Sequence, residues 1–147
     1  MEHLGKSHHD QQSHQSDRTR VLVVDDDPTF GKILHQIGVQ SGVDVVVVNK
    51  VEAINALPKE HFDVAVLDFD LGSVNGVEVA THLEKSGSTK HSILVSQSQE
   101  VGTPIGLWPK SIKGFVQKSL GHFAIFEIAL AAVEASAMES SVQSGGL

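Results

Sequence analysis

The chain has 147 residues, 40% of them apolar, enough to bury the core of one domain. Its net charge of −7, from 18 acids against 11 Lys plus Arg, repels phosphate backbones and anionic lipid, so neither a nucleic-acid nor a membrane partner is expected. The absence of cysteine excludes disulfides, zinc-thiolate sites and thiol nucleophiles; no apolar run approaches the roughly 18 to 20 residues that span a bilayer, the N-terminus lacks the apolar core of a secretory signal, and a cytoplasmic location is expected.

Residues 1–19 are rich in His, Gln, Ser and Asp, and cannot bury enough surface to offset their ordering entropy; they read as a disordered tail. His3, His8, His9 and His14 offer metal ligands there, but an unstructured tail accounts for them more simply. Arg20–Asp25 is a continuous β-branched run, as expected of a strand buried on both faces. Asp27 and Pro28 then supply an N-cap and a first helical position, and Phe30, Ile33, Leu34 and Ile37 follow at helical spacing until Gly42. Val43–Val48 predicts a second strand, and Val51, Ile54 and Leu57 a short helix disturbed by Pro58. Phe62–Asp68 predicts a third strand, Gly76–Lys85 a helix, Ser92–Ser96 a fourth strand and Gly114–Lys118 a fifth.

Between the last two strands Gly102, Pro104, Gly106 and Pro109 leave room only for a short or irregular fourth helix, with Trp108 exposed. A long final helix is predicted over Phe123–Met138, with Phe123, Phe126, Leu130 and Val133 on the sheet and Ile125, Ile128 and Ala132 around a second face. Residues 139–147 read as a second disordered tail. The alternation implies a doubly wound, five-stranded parallel sheet with helices on both faces.

Acids stand at the C-terminal ends of two strands: Asp25, Asp26 and Asp27 after the first, Asp68 and Asp70 after the third. Functional groups collect beyond the carboxyl ends of the strands in such sheets. If the first and third strands are neighbours, up to four carboxylates converge, and their repulsion calls for a hard cation; Mg²⁺ suits a few carboxylates and retained waters. Asp27 alone is explained as well by helix capping.

VLVVDDDP, FDVAVLDFDLGSVNG, ILVS and GFVQK, in that order, resemble the receiver domain of response regulators, over roughly residues 20–138. The resemblance implies a flavodoxin-like fold and a domain that accepts a phosphoryl group from a histidine kinase or phosphotransfer protein in a Mg²⁺-dependent reaction. It casts Asp68 as the phosphoacceptor, Asp25 and Asp26 as the pair that places Mg²⁺ with Asp68, and the backbone carbonyl of Asp70 as a further metal ligand. Gly76 matches the glycine opening the third helix. Ser96 and Phe115 match the switch pair, and Ser96 and Lys118 match the groups that contact the phosphoryl oxygens. A downstream protein target or a homodimer is implied on the face of the fourth helix, fifth strand and final helix, with no enzyme activity on another substrate.

Departures from the pattern are specific. Ser119 stands where the family usually has a cis proline; a cis bond before a non-proline residue costs about 2.5 to 4 kcal/mol, so a trans peptide is expected. Gln97 replaces a small residue beside the phosphoryl pocket, and Gly72 a common proline. These substitutions leave open a phosphorylation-independent, receiver-like adaptor. VLDFDLG also resembles the nucleophile motif of haloacid-dehalogenase-type phosphatases, but the acid pair here lies upstream rather than downstream. Only nine residues follow Met138, so output through protein partners is expected rather than through an attached effector.

Overall fold

β-Branched runs and helical periodicities alternate along the chain, and the backbone follows them. The computed structural model describes residues 18–55, 60–97 and 108–145. Most of the N-terminal segment and of the fourth-helix segment lies outside these residues. Five strands, β1 (Arg20–Val24), β2 (Asp44–Val48), β3 (Val64–Asp68), β4 (Ser92–Ser96) and β5 (Ile112–Gln117), form one sheet in the order β2-β1-β3-β4-β5. Every neighbouring pair is parallel. The strand order reverses between β1 and β3, so a crevice opens at their carboxyl ends. Thr19, read as tail, already belongs to the sheet's edge, since its carbonyl accepts from the Asp44 N–H.

Alternation along the strands divides the core in two. Val21, Val23, Val64, Val66, Ile93 and Val95 face one side, where α1 (Pro28–Ser41) and the final helix, α3 (His122–Gly145), cover them. Leu22, Val24, Ala65, Leu67 and Leu94 face the other, covered by a 3₁₀ turn at Val51–Ile54 and by α2 (Gly76–Ser86). Both faces are buried, which is why the strands read as unbroken apolar runs.

Helix α1 begins and ends where its residues dictate. The Asp27 carboxylate accepts from the Thr29 N–H at 3.0 Å, Pro28 fills the first turn, and Gly42 closes the helix at φ 73°, a left-handed conformation that favours glycine. The helix lies hard against β2: a Cβ on Gly31 would run into Val47, and one on Gly38 into the Val45 side chain and, at 3.0 Å, the Val43 carbonyl. Gly38→Ala is therefore expected to destabilise the fold by about 1 to 3 kcal/mol, despite the better helix propensity of alanine. Urea unfolding of the two proteins measures it.

The final helix departs from its expected arrangement. It runs to Gly145 rather than Met138, because Ala131, Ala132, Ala135 and Ala137 propagate a helix and no glycine or proline intervenes. The stretch read as a loose tail is thus helical through residue 145. Its core stripe is Ile125, Phe126 and Ala129, with Ile128, Leu130, Ala132 and Val133 partly buried alongside. Phe123, expected on the sheet, is 66% exposed, and Ile125, expected on a second face, is fully buried. Trp108, expected to be exposed, packs half-buried against Phe115 at 5.7 Å between ring centroids.

Candidate phosphoacceptor site

Parallel pairing of β1 with β3 sets Val24 beside Leu67, so the next residues, Asp25 and Asp68, stand side by side at the carboxyl edge of the sheet. Asp25 is fully buried and Asp68 is 7% exposed; Asp26, on the loop, is exposed. One carboxylate oxygen from each of the three lies within 4.8 Å of the others. The fourth acid does not join them. The Asp70 carboxylate turns into its own loop and accepts from the Gly72 N–H at 3.2 Å, so the convergence is of three carboxylates, not four. Asp27 remains the helix cap.

Charge balance comes from the far side of the crevice. Lys118 follows β5 directly and places Nζ 2.8 Å from Asp25 Oδ2, both groups being largely out of water. Asp25 Oδ1 accepts from the Asp27 N–H at 2.8 Å, and Asp68 Oδ1 from the Asp70 N–H at 3.3 Å. Burial, then the charge of Asp25, raises the Asp68 carboxyl to about 7; Asp26 adds to this, while Lys118 and the Asp70 N–H oppose it. Burial alone would lower Lys118, but the Asp25 hydrogen bond and the charges of Asp25, Asp68 and Asp27 hold it above its ordinary value. The Lys118–Ser119 peptide is trans, as expected, and Lys118–Leu120 forms a 3₁₀ turn.

Ser96 is buried at the end of β4, where β3 and β4 pair Asp68 with Val95. With Asp26, Asp68, Gln97 and Lys118 it lines one cleft at the carboxyl edge of the sheet. Phe115, on β5 opposite Leu94, meets Phe69 edge-on at 6.3 Å and also contacts Trp108. An aromatic row thus connects the residue after Asp68 to the segment before β5.

The loop after Asp68 is closed by its own backbone. Asp70 and Asn75 form an antiparallel bridge, the Leu71 N–H donates to the Val74 carbonyl at 3.1 Å, and the Gly76 N–H to the Phe69 carbonyl at 2.8 Å. Asn75 and Glu78 cap α2 reciprocally, a box that the spacing N-x-x-E could have revealed. Gly76 fits the contact because a Cβ there would stand 2.7 Å from the Asp68 carbonyl oxygen and 2.9 Å from Leu94 Cδ2. Sequence reasoning also missed Phe30. Taken as an ordinary core residue of α1, it carries Lys118 Nζ over its ring, 4.8 Å from the centroid.

The family model of the response regulator receiver domain matches residues 21–129. The chain therefore belongs to the response-regulator receiver family, which sets aside the dehalogenase-type reading. Among curated proteins it is similar to the DNA-binding response regulator MtrA of Mycolicibacterium smegmatis, with 30% identity over 91 residues, 61% of this chain and 40% of that protein. The uncharacterized transcriptional regulatory protein YrkP of Bacillus subtilis is 26% identical over 88 residues, 60% of this chain and 38% of that protein. The chain thus spans about two fifths of the length of these relatives.

Among solved structures, the CheY-like receiver domain protein of Methanospirillum hungatei superposes with a TM-score of 0.72 at 20% identity, over 83% of this chain and 98% of that one. TrrA of Thermotoga maritima, solved in complex with Mg²⁺ and BeF, gives 0.64 at 22% identity, over 78% and 98%. At such identities the likeness speaks for the fold.

Proposed function

We propose that the domain, residues 20–138, accepts a phosphoryl group onto Asp68 from a histidine kinase or phosphotransfer protein, in a Mg²⁺-dependent reaction in the cytoplasm. The observation that carries this reading is the buried Asp68, set among two further acids and opposite the Lys118–Asp25 ion pair. Three clustered carboxylate oxygens, one of them on a group raised to about 7 by burial and like charge, are a donor set that fits a hard divalent cation. Asp25, Asp26 and Asp68 would hold it, with the Asp70 carbonyl. Bound there, Mg²⁺ would supply positive charge that keeps Asp68 ionised and offsets the negative charge of the incoming phosphoryl group.

A carboxylate oxygen of Asp68 forms the bond to phosphorus as the bond to the donor breaks, and the donor leaves with the electron pair. Lys118 lends its ammonium to the phosphoryl oxygens, and the Ser96 hydroxyl donates to another; positioned charge of this kind is the main requirement of phosphoryl transfer. Ser96 moving toward that oxygen frees space for Phe115, whose row with Phe69 and Trp108 carries the change toward a protein target or homodimer. That partner would dock on the face of the fourth-helix segment, β5 and α3.

Intact mass after incubation with acetyl phosphate tests the reading. One added phosphoryl mass is expected with Mg²⁺ and none with chelator. No added mass under either condition refutes it and favours the phosphorylation-independent adaptor.

A further inference from the structure

We infer that Phe30 is a positioning residue for phosphoryl transfer, acting through Lys118, an inference that rests on the phosphoacceptor reading of the site. Phe30 is 4% exposed and sits in the first turn of α1, just beyond the Asp27 cap. Gly31 beside it lets the helix approach β2 closely, since a Cβ there would run into the Val47 side chain. The Lys118 ammonium lies 4.8 Å from the ring centroid and 2.8 Å from Asp25 Oδ2, so it is held by both a π-face and a carboxylate. His122, one residue beyond Gly121, packs its ring against Phe30 at 5.4 Å between centroids and an interplanar angle of 38°.

The two holds differ in kind. The contact with Asp25 is directional, and an anion on Asp68 competes for it. The ring face attracts the ammonium over a broad area and accepts it anywhere along a short arc. Ser119 gives the backbone no ring constraint after Lys118. The face of Phe30 therefore limits where the long, flexible lysine stem can go as its head shifts from Asp25 toward the phosphoryl oxygens.

The test is the rate of Asp68 labelling by acetyl phosphate and Mg²⁺, read by intact mass on variants shown to be folded by thermal melting. Phe30→Leu keeps an apolar core residue and removes the ring; labelling should slow about three- to ten-fold. Phe30→Tyr keeps the ring and should restore the rate. In a Lys118→Met background, Phe30→Leu should add no further slowing. By NMR, the Lys118 ε-methylene protons should lie upfield of ordinary lysine in the wild type and return to ordinary positions in Phe30→Leu. A Phe30→Leu rate equal to wild type overturns the inference, as does a Phe30→Tyr rate as slow as Phe30→Leu. Equal slowing with and without Lys118 does so too, and decides the matter should Phe30→Tyr not fold. A wild type that takes no label refutes the phosphoacceptor reading itself.

Discussion

Asp68→Asn is expected to abolish phosphoryl labelling and, in the same protein freed of metal, to raise stability. The native Asp68 carboxyl sits at about 7, against an ordinary 3.8. Between those values the folded chain holds a proton that the unfolded chain has released, so the wild type loses stability as pH rises from about 4 through 7. The full penalty stands above 7, with a ceiling of about 4 kcal/mol; solvent at the mouth of the cleft makes about 2 kcal/mol the expected value. Asparagine has no charge to desolvate and does not repel Asp25. Urea unfolding in chelator should show the variant more stable at pH 8, with the difference shrinking toward pH 5. Added Mg²⁺ should stabilise the wild type more than the variant. A difference independent of pH would show that the carboxylate cluster does not strain the fold.

Lys118→Ala is expected to act in the opposite direction. Its removal leaves Asp25, fully buried, without the cation 2.8 Å away. Breaking a buried pair from one side typically costs about 3 to 5 kcal/mol, because the remaining charge is neither hydrated nor matched. Since Lys118 is raised above its ordinary value, the contribution of the pair is present throughout the neutral range and is lost only as pH climbs past about 10.5 and through the higher folded value. Mg²⁺ should recover part of the loss by giving Asp25 another counter-charge, and Lys118→Met should separate the charge from the packing of the stem. Denaturant midpoints with and without Mg²⁺ measure both; a loss below about 1 kcal/mol would mean that water reaches Asp25.

The core strands and the acids at their ends were legible because two independent patterns coincide: β-branched runs that a doubly covered sheet requires, and carboxylates placed where those runs stop. Neighbouring β1 and β3 then bring Asp25 and Asp68 together with no further information. The final helix was less legible for a physical reason. Phe123, Ile125, Phe126, Ile128, Leu130 and Val133 are apolar nearly all round, so no stripe stands out, and the choice of Ile125 over Phe123 for the core is made by packing against α1 and the sheet. The side chain of Asp70 could not be placed, because whether a loop carboxylate faces a cleft or caps its own turn depends on backbone geometry that spacing does not encode. Phe30 fits a helical apolar pattern whether or not a cation lies over it. Its contact with Lys118 spans most of the chain and leaves no local signature.

The loop from Phe69 to Asn75 is tied at its base by the Asp70–Asn75 bridge and the Gly76-to-Phe69 bond, and Gly76 leaves the Asp68 carbonyl no clearance. Its length is consequently fixed from below and free only at its crown, Gly72–Ser73, which is exposed. A peptide spliced in between Gly72 and Ser73 would bulge into solvent with both anchors intact and close an entropically cheap larger loop. The same peptide placed after Asp68 or before Gly76 would have to break the anchors and carry the Asp68 backbone with them. The crown is therefore where the protein can be lengthened or tagged within sight of its chemistry, and where relatives of differing loop length can diverge without moving Asp68.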